Sequence, residues 1–318
     1  MKAAAHPDSD YYAFSEKLRL FLPCLRQRMF PKRNLFAGPY AGEFGWELMQ
    51  WQGFVRARRP YYKQVHVLTY PGRDYLYEGC TVHHHDIDLK TAGYRYGTLN
   101  RTIARKMAKE KATEIGLEEY DIFSPPLLCT RHHKAIWKQD FRLFQEAPLT
   151  TTLRDVVFHF RSIKKEGPDV YQDYSATAAD ELVQHCLERG LLVGCIGHPS
   201  YSYCPPGCED YRSIDLRQTV AAMSSAHAVV GKNSGPMHLA SLCGKPTIQW
   251  AEDQWRLDFS LRWNPFRVPI YIVSNTESQP SPRSVYEAIA NALADLRQKS
   301  NDFTQPVYTV PAQQIAGY

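Results

Sequence analysis

Two kinds of hydrophobic pattern alternate along this chain. Short apolar runs stand at 34–37 (NLFA), 64–70 (QVHVLTY), 156–160 (VVFHF), 191–197 (LLVGCIG), 227–231 (HAVVG) and 246–250 (PTIQW). They are rich in Val, Ile and Phe and are bounded by Gly, Pro or polar residues, which predicts buried strands. Between them apolar residues return every three or four positions. Phe44, Leu48, Trp51 and Val55 make one such series, and 176–189, stopped by Gly190, makes another. The stretches 213–226 (SIDLRQTVAAMSSA) and 284–299 follow, the latter with a stripe of Val285, Ile289, Leu293 and Leu296. That spacing predicts helices, and Gly190 suits a helix C-terminus. Strands alternating with helices predict parallel α/β sheets. The pattern is sharpest after residue 155. In the first half, 91–119 predicts charged helix and 122–128 a strand or loop broken by Pro-Pro, and the rest of that stretch has no readable period.

With 318 residues the chain is long enough for more than one core, and two domains are expected. The alternation divides it into 1–150, 151–283 and a terminal helix and tail, 284–318, with the linker near 147–152. No apolar run is long enough to span a bilayer. The start, MKAAAHPDSDYY, has no apolar signal core. Together with eight cysteines in so long a chain, this predicts reduced thiols and a cytoplasmic protein. The net charge of +5 mildly favours anionic partners, and its distribution says more. Segment 17–33 (KLRLFLPCLRQRMFPKR) interleaves basic and apolar residues, and Arg56, Arg58 and Arg59 form a second knot. Either is a solvated helix face, or a basic lip for an anionic membrane surface or a nucleic-acid backbone.

The stretch GKNSGPMHLASLCGKP, 231–246, joins two predicted strands through barely two turns of helix. Ser234 is placed as the N-cap, Pro236 suits the first turn, and Gly244 ends the helix. A helix start at the carboxyl edge of a parallel sheet offers oriented amides and a positive dipole end to a phosphate. His238 lies on its first turn. A capped structural helix is the plainer account of these residues taken alone.

The longer pattern VVGKNSGPMHLASLCGKPTIQW resembles the donor-binding segment of the heptosyltransferase-like glycosyltransferases (glycosyltransferase family 9-like). That family reads as a strand, Asp-Ser-Gly-Pro-x-His-x-Ala, Gly-x-Pro and a strand. Asn233, Ser234, Gly235, Pro236, His238, Ala240, Gly244 and Pro246 hold those positions here. HFRSIKKEG at 159–167 and the loop GPYAGEFG at 38–45 are similar to further family segments. The resemblance covers about half the chain and leaves out 81–152. It implies the GT-B fold: α/β, two Rossmann-like parallel-sheet domains facing across a cleft, with the terminal helix crossing back to the first. It implies an inverting, metal-independent transferase with no cofactor, using a nucleotide-diphosphate sugar as donor.

Inversion needs one base to take the acceptor hydroxyl's proton while cations or amides take up charge on the leaving diphosphate. The family's base is the Asp of a Gly-Asp pair, so the resemblance assigns the role to Glu43 of Gly42-Glu43, with Glu47 as a competitor. Gly42, Phe44, Gly45 and Trp46 would line the acceptor side. Donor contacts fall to Arg161, Lys164, Lys165, His198, Asn233, Ser234, Gly235, Pro236, Met237 and His238. Glu252 and Asp253, where the family commonly has Gly or Thr, are placed to meet sugar hydroxyls. The acceptor is expected to be a cell-surface or lipid-linked glycan approached at a membrane surface. The alternatives are a hydroxymethylated base in DNA, as in phage-type enzymes working in a host cytoplasm, and an epimerase-like or non-catalytic nucleotide-sugar binder. The run His83-His84-His85-Asp86 alternates faces and does not converge on a metal. Cys204-Pro-Pro-Gly-Cys208 is a turn, with a disulfide or metal as the lesser option.

Overall fold

The computed structural model describes residues 14–87, 101–125, 137–162, 174–251, 253–273 and 279–301. The chain divides into two compact units, Met1–Arg142 and Leu143–Tyr318, so the division falls just upstream of the expected linker.

The first unit runs α1 (Phe14–Met29), β1 (Asn34–Ala37), α2 (Phe44–Trp46), a π turn (Glu47–Trp51), α3 (Gln52–Arg58), β2 (Gln64–Thr69), β3 (Thr81–His84), α4 (Arg101–Glu114) and β4 (Tyr120–Phe123). The four strands are all parallel, in the order β3-β2-β1-β4. Every residue of β1 is buried, because both sheet faces are covered. Phe36 and Leu68 pack on Ala108 and Ala112 of α4, and Trp51 stacks on Phe123 with ring centroids 4.5 Å apart. Residues 137–142 cross α3 without regular structure. A Cβ at Gly53 would lie 3.2 Å from that of Gln139, and Gly53 O accepts Asp140 N–H at 3.0 Å. The basic residues of α1 serve partly as fasteners. Arg26 pairs with the buried Asp121, and Arg28 lies 3.9 Å from the centroid of the Tyr61 ring.

The second unit runs β5 (Arg154–Arg161), α5 (Ala176–Leu187), β6 (Val193–Cys195), β7 (Ser202–Tyr203), β8 (Glu209–Asp210), α6 (Leu216–Ser224), β9 (Ala226–Lys232), α7 (Gly235–Leu242), β10 (Thr247–Trp250), α8 (Gln254–Arg262), β11 (Ile270–Ile272) and α9 (Pro282–Asn301). The path across the sheet is β11-β10-β9-β5-β6-β8, parallel throughout, with β7 added antiparallel to β5. Ser175 caps α5 by accepting Ala178 N–H at 3.1 Å, and Asp215 caps α6 by accepting Arg217 N–H at 2.8 Å. The core joins Phe158, Phe160, Val230 and Trp250 to Leu182 and Val183 of α5. The stripe of α9 belongs to it as well: Val285, Ile289, Ala292 and Leu293 are buried in this same cluster. The stripe of this helix thus packs within the second unit. Residues 302–318 lie outside the described residues.

Candidate functional site

Each sheet has one place where the strand order reverses. In the second unit the chain builds outward from β5 through β6 and β8, then returns to the other side of β5 as β9. In the first it builds outward from β1 through β2 and β3, then returns beside β1 as β4. In open parallel sheets, ligands bind outside the carboxyl ends of the strands at such a reversal. The two loops singled out in the sequence leave from these points: 38–43 follows β1, and 233–234 follows β9.

In the second unit Ser234 stands at the start of α7 with extended backbone, φ −166° and ψ 174°, and Pro236 is in the first turn. Its side chain makes no capping bond. Among the described residues Ser234 Oγ has no partner, although it is buried. The amides of the first turn are largely spent: Met237 N–H and His238 N–H donate to Ser234 O at 3.0 and 3.2 Å, and Pro236 has no N–H. The buried hydroxyl at the helix start is the kind of group a ligand oxygen satisfies. The helix closes as expected. Gly244 has φ +70°, and Lys245 N–H donates to Ala240 O at 2.9 Å.

The loop is built on close contacts beneath it. Gly231 is opposite His159 in the β5–β9 register, and a Cβ there would lie 2.9 Å from His159 O and 3.1 Å from Met237 Cε. Asn233 N–H donates to Trp250 O at 2.9 Å. Its side-chain amide donates to Ser260 Oγ, which in turn donates to Gln249 Oε1 at 2.9 Å. Asn233 is therefore held inside a buried polar network. His238 is buried edge-on to Trp263, with centroids 5.0 Å apart, and burial lowers its pKa to about 4. Met237 is also buried.

Along the same carboxyl edge, Arg161 ends β5, half-buried, and pairs with Ser202 of β7. His198 follows β6, where its Nδ1 accepts Ser200 N–H at 3.1 Å and its ring lies 4.7 Å from that of Tyr201. Asp253 is exposed and accepts Arg256 N–H at 2.8 Å in the first turn of α8. Lys164, Lys165 and Glu252 lie outside the described residues. Sequence reasoning passed over His159. It is buried, its Nδ1 has no partner among the described residues, and burial, with Arg161 nearby, lowers its pKa to about 3. The signal was available, since a histidine two residues before the end of a buried strand is an expensive group to desolvate.

In the first unit, Gly38 has φ +123°, and a Cβ there would lie 2.5 Å from Leu68 O. This glycine answers to the neighbouring strand. Gly42 is buried, and Phe44, Gly45 and Trp46 are half-buried on the first turns. Glu43 is exposed just before α2, with extended backbone and no side-chain cap bond. Its carbonyl accepts Tyr40 Oη–H at 2.8 Å and Glu47 N–H at 3.1 Å. Glu47 differs completely. It is wholly buried, accepts Thr69 Oγ1–H at 2.5 Å and Tyr77 Oη–H at 2.7 Å, and pairs with Arg73.

The remaining motifs take up local roles. His83 stacks on His66, with ring nitrogens 3.0 Å apart. His84 reaches Asp74 at 3.0 Å and His85 reaches Tyr40 O at 2.8 Å. Cys204 and Cys208 are free thiols, and Cys195 donates to Tyr203 O at 3.0 Å. The arginine knot divides too. Arg58 is fully buried, 3.6 Å from the Phe123 centroid and 4.5 Å from that of Trp137, and donates to Phe54 O at 3.0 Å. Arg56 and Arg59 sit with the first residues of β2 and β3, at the sheet edge opposite Glu43.

No protein-family profile and no curated protein matches the chain by sequence. Solved structures do match by fold. ADP-heptose LPS heptosyltransferase II of E. coli aligns over 84% of this chain and 99% of its own, with a TM-score of 0.52 at 13% identity. The glycosyltransferase family 9 protein of Veillonella parvula aligns over 83% and 98%, with a TM-score of 0.51 at 12% identity. The iron-containing dodecameric glycosyltransferase TibC of enterotoxigenic E. coli aligns over 85% and 80%, with a TM-score of 0.50 at 14% identity. The chain thus has the GT-B fold of the heptosyltransferases, as the resemblance implied.

Proposed function

We propose that this protein is an inverting glycosyltransferase that moves a sugar from a nucleotide-diphosphate sugar to an acceptor hydroxyl. The observation that carries the reading is the start of α7: a buried Ser234 hydroxyl with no partner among the described residues, at the reversal point of a parallel sheet. This hydroxyl, with Arg161 and with Lys164 or Lys165, would hold the donor diphosphate and take up its charge on departure. His198 would meet the nucleoside, and Glu252 and Asp253 the sugar hydroxyls. Glu43 would take the acceptor proton, assisted by the frame of Gly42, Phe44, Gly45 and Trp46. Its exposure supports that role over Glu47, which is wholly buried. The leaving group needs no metal in this scheme, since fixed cations carry its charge.

The acceptor is read as a glycan hydroxyl, in a cytoplasmic enzyme working at a membrane surface. The charge argument for DNA weakens, because Arg58 is interior and Arg56 and Arg59 lie at the edge away from Glu43. Among the described residues, no helix is long and apolar enough to cross a membrane.

The test is a panel of nucleoside diphosphates and their sugars, read by calorimetry and by nucleoside-diphosphate release. Ser234→Asp should abolish binding by setting a carboxylate against the diphosphate. Glu43→Gln should keep binding and lose about 10²–10⁴ in transfer rate. Binding that survives Ser234→Asp would sink the donor assignment. Donor binding with no release, with or without acceptor sugars, would favour the non-catalytic alternative.

A further inference from the structure

An open cavity of about 500 Å³ lies in the first unit, lined by Arg56, Arg59, Lys63, Gln64, Thr81 and Asp140 among others. Gln64 and Thr81 are the first residues of β2 and β3, so the cavity opens at the amino edge of the sheet. It is separate from the Glu43 loop, which leaves the carboxyl edge of β1. The walls are strongly cationic: Asp140 is the one carboxylate among the lining residues, against Arg56, Arg59 and Lys63.

The cations are held there by construction. The Arg59 guanidinium lies directly on Gly79, where a Cβ would come within 2.2 Å of Nη2. Arg56 is anchored through Nη2 to Leu76 O at 2.7 Å. Its pKa is lowered, first by burial and then by the nearby positive charge of Arg142, with Asp140 acting the other way and Arg59 adding a smaller push down. Cations at the end of α3 complement the helix dipole, but Arg58 already donates to the helix carbonyl of Phe54. Lys63 stands beyond the helix altogether. Its backbone N–H donates to Arg33 O at 2.8 Å, which brings the exposed Lys32-Arg33 stretch beside the cavity rim. Three cations around a solvent-open hollow, offset by the one carboxylate of Asp140, leave a net positive field that a further anion would relieve. The fork geometry of arginine suits phosphate oxygens.

We infer that this cavity is a second anion site, one that takes a phosphate group carrying more than one negative charge, either on a lipid headgroup or on a soluble phosphate ester. It anchors and does not react, since the proposed base is at the other edge of the sheet. The inference does not depend on the sugar-transfer reading.

The experiment titrates the full chain with inorganic pyrophosphate by calorimetry in a Ser234→Asp background, so that the proposed donor loop does not contribute. Saturable binding is expected. Arg59→Ser and Lys63→Ser should each weaken it by about tenfold, the size of one charge-assisted contact, with the melting temperature held. Lys63 is exposed, so its variant tests the site even if Arg59→Ser disturbs the turn over Gly79. Vesicles of phosphatidylcholine with phosphatidic acid separate the sources. Co-sedimentation lost in both variants supports the site with a lipid ligand. Pyrophosphate binding without vesicle recruitment supports it with a soluble one. Pyrophosphate affinity that is absent, or equal in all three chains, overturns the inference.

Discussion

Glu43 and Glu47 are four residues apart in sequence and opposite in environment. Glu43 is exposed at a loop end, whereas Glu47 is enclosed by Arg73, Thr69 and Tyr77. Removing one partner of a buried ion pair costs about 3–5 kcal/mol. Glu47→Gln should therefore lower the melting temperature sharply, while Glu43→Gln leaves it unchanged and removes transfer. A Glu47→Gln chain that folds normally but transfers no sugar would exchange the two roles. The buried histidines give a pH signature. His238 and His159 have pKa values of about 4 and about 3 when folded, against 6.5 ordinarily. From pH 6.5 down to each folded value the unfolded chain binds more protons, so stability falls with pH. The slope is about 1.4 kcal/mol per pH unit for each histidine. Chemical denaturation across that window measures it. His238→Phe, which keeps a ring beside Trp263, should reduce the slope by roughly one histidine's share, and an unaltered slope would point to other groups.

At the scale of elements, α7 is positioned by glycine, since Ser234 makes no side-chain cap bond. Gly231 lets β9 run close to β5, and any side chain there meets backbone at His159. Overpacking of this kind costs about 1–3 kcal/mol. Gly231→Ala should lower stability by that amount and weaken nucleoside-diphosphate binding by more than the stability loss explains. Binding that holds at wild-type affinity in the folded fraction would show that α7 tolerates the shift. Sequence periodicity had located β5, β9, β10, α5, α6 and α9, because buried strands and amphipathic helices advertise their faces locally. It missed β3, α8 and β11 and the π turn at Glu47–Trp51. β3 has no fully buried residue, so it carries no apolar run. β11 is three residues long, and its neighbour β10 supplies the pairing.

For the molecule as a whole, the proposed chemistry stores its counter-charge in protein groups. Transfer should persist in EDTA at its full rate, measured as nucleoside-diphosphate release. Loss of activity that magnesium restores would rule this scheme out. The same view separates two basic features that looked continuous in the sequence. Arg58 is interior, and Arg56, Arg59 and Lys63 form a hollow at the sheet edge opposite Glu43.

The sequence by itself determined the α/β alternation, the two-sheet organisation and the short helix after β9, though not its expected cap, because the Ser234 side chain makes no capping bond. Each depends on local order: periodicity, a Ser-Gly-Pro start and a Gly stop act within a few residues. It also placed Ser234, His198 and Asp253 on loops, and Arg161 at a loop start that is the last residue of β5, and the parallel topology gathered all four at one edge. Only the tertiary structure decided that Ser234 Oγ has no partner among the described residues, that Asn233 is held by Ser260, and that Glu47 is clamped by residues up to 30 positions away. Those outcomes depend on which strands become neighbours and which side chains lose their water. Burial and pairing across distant segments, rather than local propensity, assign a charged residue to structure or leave it for chemistry.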